Sequence, residues 1–299
     1  MKGPAEGPGE SVTADETAGT APRFLFPIDG DHPHELLKIV CDLVADSDGD
    51  LVIASPVTVQ ERTPLDLAAP KTKAHRRTAE FVLEATQKCH DDLTIDQVVR
   101  AGRTREIVLA DLVDRYSIAT LVMEDTPRSR LQSALGVEEV NSTLLQTGCD
   151  TVVASHVERL GTIDSILVPV AGGPHSGLAI DVGVALARQN EASIELLHVY
   201  DPDDDGAHEH GENVLEKGRE RVGDLVDVER TLHESNDVHR SIVEYTQSFD
   251  ITIFGAPREG LLRQFIFGSI PNEAAVQVEG PILTVHRGGV EDSWLDRWV

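Results

Sequence analysis

Apolar residues along the chain gather in short runs, separated by stretches in which they recur every three or four positions. The runs fall at 23–28, 50–57, 94–99, 119–123 and 150–155, and again at 165–170, 193–199, 226–232, 251–255 and 281–286. Such runs predict β-strands buried on both faces. The stretches near 34–46, 70–90, 104–117 and 138–146, then 176–189, 210–223, 237–249 and 271–278, carry the spacing of amphipathic helices. Strands that alternate with helices over short connections imply an α/β protein with a parallel, doubly wound sheet. In such sheets a ligand lies beyond the carboxyl ends of the strands, where the strand order reverses. The loops after the first and fourth strands of each half are therefore where chemistry is to be sought.

The two sets of elements repeat one another. Arg23 to Asp29 (RFLFPID) and Ser165 to Ala171 (SILVPVA) are apolar runs that end in a Pro-containing turn, 142 residues apart. Ala119 to Met123 (ATLVM) corresponds to Ile251 to Gly255 (ITIFG), and Gly136 and Gly148 to Gly268 and Gly280, all at an offset of 132. A fixed offset of this kind marks a duplicated unit. The expected organisation is a disordered leader at 1–21, one domain at 22–160, a second at 161–289 and a Trp-containing tail at 290–299, each domain an open five-stranded, Rossmann-like parallel sheet.

Composition narrows the function. Against 26 Lys plus Arg stand 52 Asp plus Glu, a formal charge of −26, and arginines outnumber lysines 20 to 6. That field repels phosphate backbones and anionic lipid, so nucleic-acid binding is not expected. Abundant carboxylates, few lysines and few large aromatics suit molar salt, in which screening over ~3 Å removes the self-repulsion. Three cysteines, Cys41, Cys89 and Cys149, show neither a paired framework nor a CxxC, which fits a reducing cytoplasm. The first twenty residues lack the apolar core of a signal peptide, and no run of ~18 apolar residues occurs, so the expectation is a cytoplasmic protein not embedded in a membrane.

The loop after the fourth strand of the second half reads Gly255-Ala-Pro-Arg-Glu-Gly260, with Gly268-Ser269 opening a helix after it. Glycines permit close backbone approach, and free N–H groups beside a hydroxyl at a helix start suit a phosphate. The run ITIFGAPREGLLRQFIFGSIPNEAAVQVEGPILTVHRG resembles the carboxyl-terminal part of the universal stress protein family: strand, Gly-x2-Gly, nine residues, Gly-Ser/Thr, helix and a last apolar-Pro-apolar strand. The resemblance extends from Arg23 to His286 as two copies and implies a tandem universal stress protein of haloarchaeal type. The family has an open five-stranded fold like that of the adenine nucleotide alpha hydrolases, many members bind ATP, and tandem copies pair through their last strands, here 150–155 and 281–286. The resemblance thus implies an intramolecular pseudo-dimer, with a homodimer of such tandems as a further expectation.

The family's nucleotide site carries over with departures. In the second half Gly255, Gly268 and Ser269 match, Arg258 stands at the second glycine with Gly260 two residues beyond, and Ala171 stands where the family has an aspartate. Gly172 and Gly173 keep the tight turn. The candidate nucleotide residues are Ala171, Gly172, Gly173, Val199, Gly255, Pro257, Arg258, Gly260, Gly268 and Ser269, and the expected ligand is ATP or AMP with magnesium, bound weakly. The missing carboxylate would cost of order 1 to 3 kcal/mol. In the first half Asp29-Gly30 supplies the aspartate, but Met123 replaces the first glycine, Val137 follows Gly136 in place of Ser/Thr, and Glu124 and Asp125 put negative charge where phosphate would lie. Nucleotide binding there is not expected.

Other constellations have simpler readings. His208-Glu209-His210 beside Asp203 to Asp205 offers metal-ligand types, or is a solvated acidic loop. AGGPHS at 171–176 is similar to the Ser-Gly-Gly-x-Asp-Ser loop of PP-loop pyrophosphatases, but with Ala171 and His175 at its key positions. His198 ends a strand facing the crevice. Trp294, Leu295 and Trp298 suit a docked helical half-turn on the chain itself or on a partner. No Gly-x-Ser-x-Gly elbow and no His-Glu-x-x-His helix occurs, so a catalytic role is not expected. The expectation is a non-catalytic stress-response regulator; the alternative is a nucleotide-independent interaction module, since VPVAGGP is also similar to the paired stress domains that follow amino-acid permeases, with a transporter or other protein as its partner.

Overall fold

The computed structural model describes residues 21–28, 34–59, 93–124, 148–256 and 280–289, with positions 73, 74, 76 and 80. The first half contains β1 (Arg23–Pro27), α1 (His34–Asp46), β2 (Asp50–Thr58), β3 (Thr94–Gly102), α2 (Arg105–Tyr116), β4 (Ile118–Glu124) and β5 (Asp150–Ser155). The second contains β6 (Ser165–Pro169), α3 (Pro174–Asn190), β7 (Ser193–Tyr200), α4 (Ala207–Val222), β8 (Val228–Glu234), α5 (Val238–Thr246), β9 (Ile251–Gly255) and β10 (Ile282–His286). The α/β class is as expected, and every described strand lies within three residues of its predicted span, β3 running on to Gly102 where 99 was expected. The helices expected at 70–90, 138–146 and 271–278, the leader before 21 and the tail after 289 lie outside the described residues or nearly so.

All ten described strands form one sheet, in the order β3-β2-β1-β4-β5-β10-β9-β6-β7-β8. Counted from either edge the order is the same, and within each half the pairs are parallel. The halves meet at β5 and β10, which pair antiparallel from Ile282 opposite Ser155 to His286 opposite Thr151. Helices lie on both faces, as near-continuous apolar strands require.

The two faces pack differently. One continuous core joins α1, α3 and α4 to both halves of the sheet, from Phe24 and Leu43 through Val152 and Leu283 to Ile180 and Leu215. On the other face Val108, Leu109 and Leu112 of α2 cover the first half, and separate small clusters lie under α5. Gly183 lets α3 sit close on the sheet, because a Cβ there would meet the Val168 side chain at 3.2 Å. The helix pair α1 and α3 crosses between the halves: Asn190 Nδ2 donates to Asp42 Oδ2 at 2.8 Å, Lys38 Nζ to the same oxygen at 2.7 Å, and Arg188 pairs with Asp46 at 3.0 Å.

Cysteine usage departs from the expectation of unpaired thiols. Cys41, buried in α1, is disulfide-bonded, and Cys149 is buried and forms no disulfide. Wide spacing along a chain places no limit on closeness in a fold, and bridging depends only on Cα and Cβ geometry.

Candidate functional site

The crevice of the second half opens where β6, β9 and β7 end. β6 runs into Val170 and Ala171, then into Gly172 and Gly173, whose φ angles of +86° and +84° suit glycine alone. Gly173 caps α3 without a side chain, Pro174 follows at its start, and no acidic residue lies in its first turn. Where the family pattern has an aspartate, Ala171 leaves the turn to Ser176: the Ala171 N–H donates to Ser176 Oγ at 3.3 Å, and that hydroxyl donates to the Gly172 carbonyl at 3.1 Å. The turn is thus closed from inside, with no carboxylate facing the crevice at this position.

Gly255 ends β9 against this turn. A Cβ on it would lie 2.6 Å from the His175 carbonyl carbon and 2.8 Å from the Ser176 nitrogen, so glycine is what allows strand and helix to touch. In the first half the matching position is Met123, partly buried and followed by Glu124. Ala171, Gly172, Gly173 and Gly255 therefore converge, while Val199 lies on the neighbouring strand β7. Pro257, Arg258, Gly260, Gly268 and Ser269 lie outside the described residues, as do Asp29, Gly30, Asp125, Gly136, Val137 and the tail residues Trp294, Leu295 and Trp298.

Beside the glycine turn, α3, β10 and β5 bring together groups that the sequence reading passed over. The Arg287 N–H donates to His175 Nδ1 at 3.0 Å, and the His175 and His286 rings lie 4.5 Å apart. Asp181 of α3, whose side chain is 8% exposed, accepts a two-pronged bond from Arg221 at 2.6 and 2.7 Å and another from Arg287 at 3.2 Å. The first half enters here too, since the Gly288 N–H donates to Asp150 Oδ1 at 2.8 Å. Burial holds the His286 imidazole below its usual pKa, against the pull of the Asp150 charge.

At the end of β7 the site changes character. His198 is buried, and its Nδ1 sits 2.7 Å from the Val170 carbonyl oxygen, which fixes the proton on Nδ1. Burial holds its pKa down, the Val170 bond opposes this, and His210 adds to the lowering. Gly211 of α4 makes room for the ring, because a Cβ there would lie 2.6 Å from His198 Cδ2. A cavity of about 370 Å³ opens beside it, walled by Asp201, Asp204 and Asp205 on the loop and by His210 and Val238.

The acidic loop does not assemble a metal centre: among the described residues no group of three or more His, Cys, Asp or Glu is placed to hold an ion. His208 packs edge-on against Tyr200 at 5.4 Å, His210 faces His198 at 5.8 Å, and Asp203 faces Asn236. No helix of the described residues is long and apolar enough to cross a membrane.

Residues 162–286 match the model of the universal stress protein family. No curated protein matches the sequence. Among solved structures, the chain is similar to a universal stress protein from Archaeoglobus fulgidus DSM 4304, at 14% identity and a TM-score of 0.59, over 90% of this chain and 98% of that one. It is also similar to the cytoplasmic domain of a prokaryotic cation chloride cotransporter, at 12% identity and a TM-score of 0.56, over 93% and 99% respectively. At such identities the likeness is one of fold.

Proposed function

We propose that this chain is a non-catalytic regulatory protein of the universal stress type, two copies in tandem, whose second half holds ATP or AMP weakly, with magnesium. The observation that supports the reading is the contact of Gly255 with the first turn of α3, beside the two positive-φ glycines Gly172 and Gly173 at the switch point, where doubly wound sheets take their ligands. The family match over 162–286 supports the same half. A nucleotide there would act by favouring one arrangement of the halves or of a partner surface, since differential affinity is all a ligand contributes.

The test is calorimetric titration of the full chain in molar potassium chloride with ATP, ADP and AMP, with and without magnesium, beside a Gly268→Val, Ser269→Ala variant. High salt prevents the charge of −26 from repelling nucleotide for trivial reasons. The expected result is saturable heat near one equivalent, absent in the variant. No heat and no thermal shift up to millimolar nucleotide would overturn the reading.

A second reading is an interaction module that needs no nucleotide, acting on a membrane transporter. The likeness to a cotransporter's cytoplasmic domain over nearly the whole chain favours it, as does the carboxylate-free turn at Ala171. Retention by transporter-bearing membranes, equal with and without ATP, distinguishes it from the first.

A further inference from the structure

Each half spends one sheet edge on the seam. β5 and β10 pair there, and the strands left at the outer ends of the sheet are β3 and β8. β8 pairs with β7 along its whole length, from Val228 beside Ile194 to Glu234 beside Tyr200. The Ile194 N–H donates to the Asp227 carbonyl at 2.9 Å and the Ser235 N–H to the Tyr200 carbonyl at 2.9 Å, so the odd-numbered residues of β8 turn their backbone groups toward β7. The N–H and C=O groups of Arg230, Leu232 and Glu234 therefore point outward, where no described strand lies beside them.

The side chains of this edge fall into two sets. Arg230, Leu232 and Glu234 share the α4 face: a Cβ on Gly211 would meet Leu232 Cδ1 at 2.6 Å, Arg230 pairs with Glu216, and Glu234 accepts from the Tyr200 hydroxyl at 3.0 Å. His233 lies on the other face, its ring 5.4 Å from that of Tyr245. Arg230 and Glu234 are exposed, and Leu232 is half-buried between them. Charges on an edge strand ordinarily keep copies apart. Here they stand as cation, apolar residue and anion at alternate positions, an order that becomes its own complement when reversed.

We infer that β8 is an interface between two copies of this chain, paired antiparallel about a twofold axis at Leu232. In that register Arg230 of each copy faces Glu234 of the other and Leu232 meets Leu232, while the outward backbone groups of all three residues find partners. Only outward residues can face outward residues, which leaves few competing registers. An axis at Thr231 sets Arg230 against Leu232 and Glu234 against Val228, one at His233 sets Leu232 against Glu234, and one at Arg230 sets like charges together. The several N–H donors of Arg230 let it keep Glu216 while it takes Glu234 of the second copy, and Glu234 has a second oxygen to accept it. The result is one sheet continuous through both copies. The surface is separate from the glycine crevice, which lies at β6 and β9, so association does not depend on nucleotide.

Sedimentation velocity of the full chain in molar potassium chloride, where repulsion between two charges of −26 is screened, tests it. A concentration-dependent dimer is expected. Arg230→Glu or Glu234→Arg alone sets like charges against each other on both sides of the axis and should weaken association by about tenfold or more. The two together exchange the partners and should restore it. Thermal midpoints check that each variant is folded. Hydrogen exchange on the unsubstituted protein needs no variant: protection of the Arg230, Leu232 and Glu234 amides should rise with protein concentration, and that of Thr231 and His233, already turned to β7, should not. A monomer up to millimolar concentration, a dimer indifferent to either reversal, a double variant no tighter than the single ones, or unchanged exchange at Arg230, Leu232 and Glu234 would each overturn the inference. If a reversal unfolds the chain, the exchange pattern decides alone.

Discussion

The two halves share a strand order but differ at the carboxyl ends of corresponding strands. β9 ends in Gly255, packed directly on the backbone of α3, whereas β4 ends in Met123 and Glu124, which place a long apolar side chain and a carboxylate at the same point. The charge networks differ as well. In the second half the Asp181 side chain, 8% exposed, gathers Arg221 and Arg287; in the first, Asp111 meets Arg100 at 2.8 Å and Arg115 at 3.8 Å with all three side chains at least 39% exposed. One strand order thus accommodates different residues at corresponding strand ends, because sheet and helices in both halves are stabilised by apolar burial. The site is an addition to the fold and is not required by it.

The charge networks offer the sharpest contrast. Asp181→Ala should cost about 3–5 kcal/mol in denaturant unfolding, since it removes the carboxylate that Arg221 and Arg287 share. Asp111→Ala should cost at most ~1 kcal/mol, as an exposed pair does. Equal losses would erase the distinction between the halves. Next, Gly255→Val should destabilise by about 3 kcal/mol, because its side chain meets backbone and not a yielding rotamer; Met123→Val should stay below ~1.5 kcal/mol. Asp250→Ala follows at about 2 kcal/mol: its Oδ2 accepts from the N–H groups of Asp164 and Ser165 and from Ser165 Oγ, each at 2.9 Å, and so fixes the start of β6.

The helix caps should show no difference at all. Thr104 Oγ1 accepts from the Ile107 N–H, and Asp237 Oδ1 from the Arg240 N–H. Alanine at either is expected to cost about 1 kcal/mol, and a large inequality would show that one half is under strain. The smallest effect is with pH. Burial lowers the pKa of His198 and His286, so the fold prefers their neutral forms. Their contribution is full above the unfolded value of about 6.5 and is lost as pH falls through it toward the lower folded values. The thermal midpoint should therefore decline between about pH 7.5 and 5.5, and less so in His286→Asn.

Strand and helix positions were legible because apolar periodicity is a local signal: α1 and β5 begin and end as the pattern implies. So was the glycine turn, since Gly172, Gly173 and Gly255 mark backbone freedom directly. The rest depended on juxtaposition. His175 and Arg287 lie 112 positions apart, and His198 and Val170 lie 28 apart, so no window along the chain contains both partners. One clue was present. Gly211 sits inside a helix, where glycine is costly unless something packs close to it, and that something is the His198 ring. Ser176, five residues beyond Ala171, could not be read as closing the turn until Gly172 and Gly173 had placed it. The bridge at Cys41 was hidden for the same reason.

The seam between β5 and β10 also bears on the covalent connection between the halves. The backbone ladder and the α1–α3 contact join them through noncovalent bonds, and the short segment from His156 to Asp164, whose Val157, Leu160 and Ile163 are buried in the shared core, also holds one half at high local concentration near the other. Cutting the chain there should leave two pieces that find each other again, with association becoming dependent on dilution where before it was not.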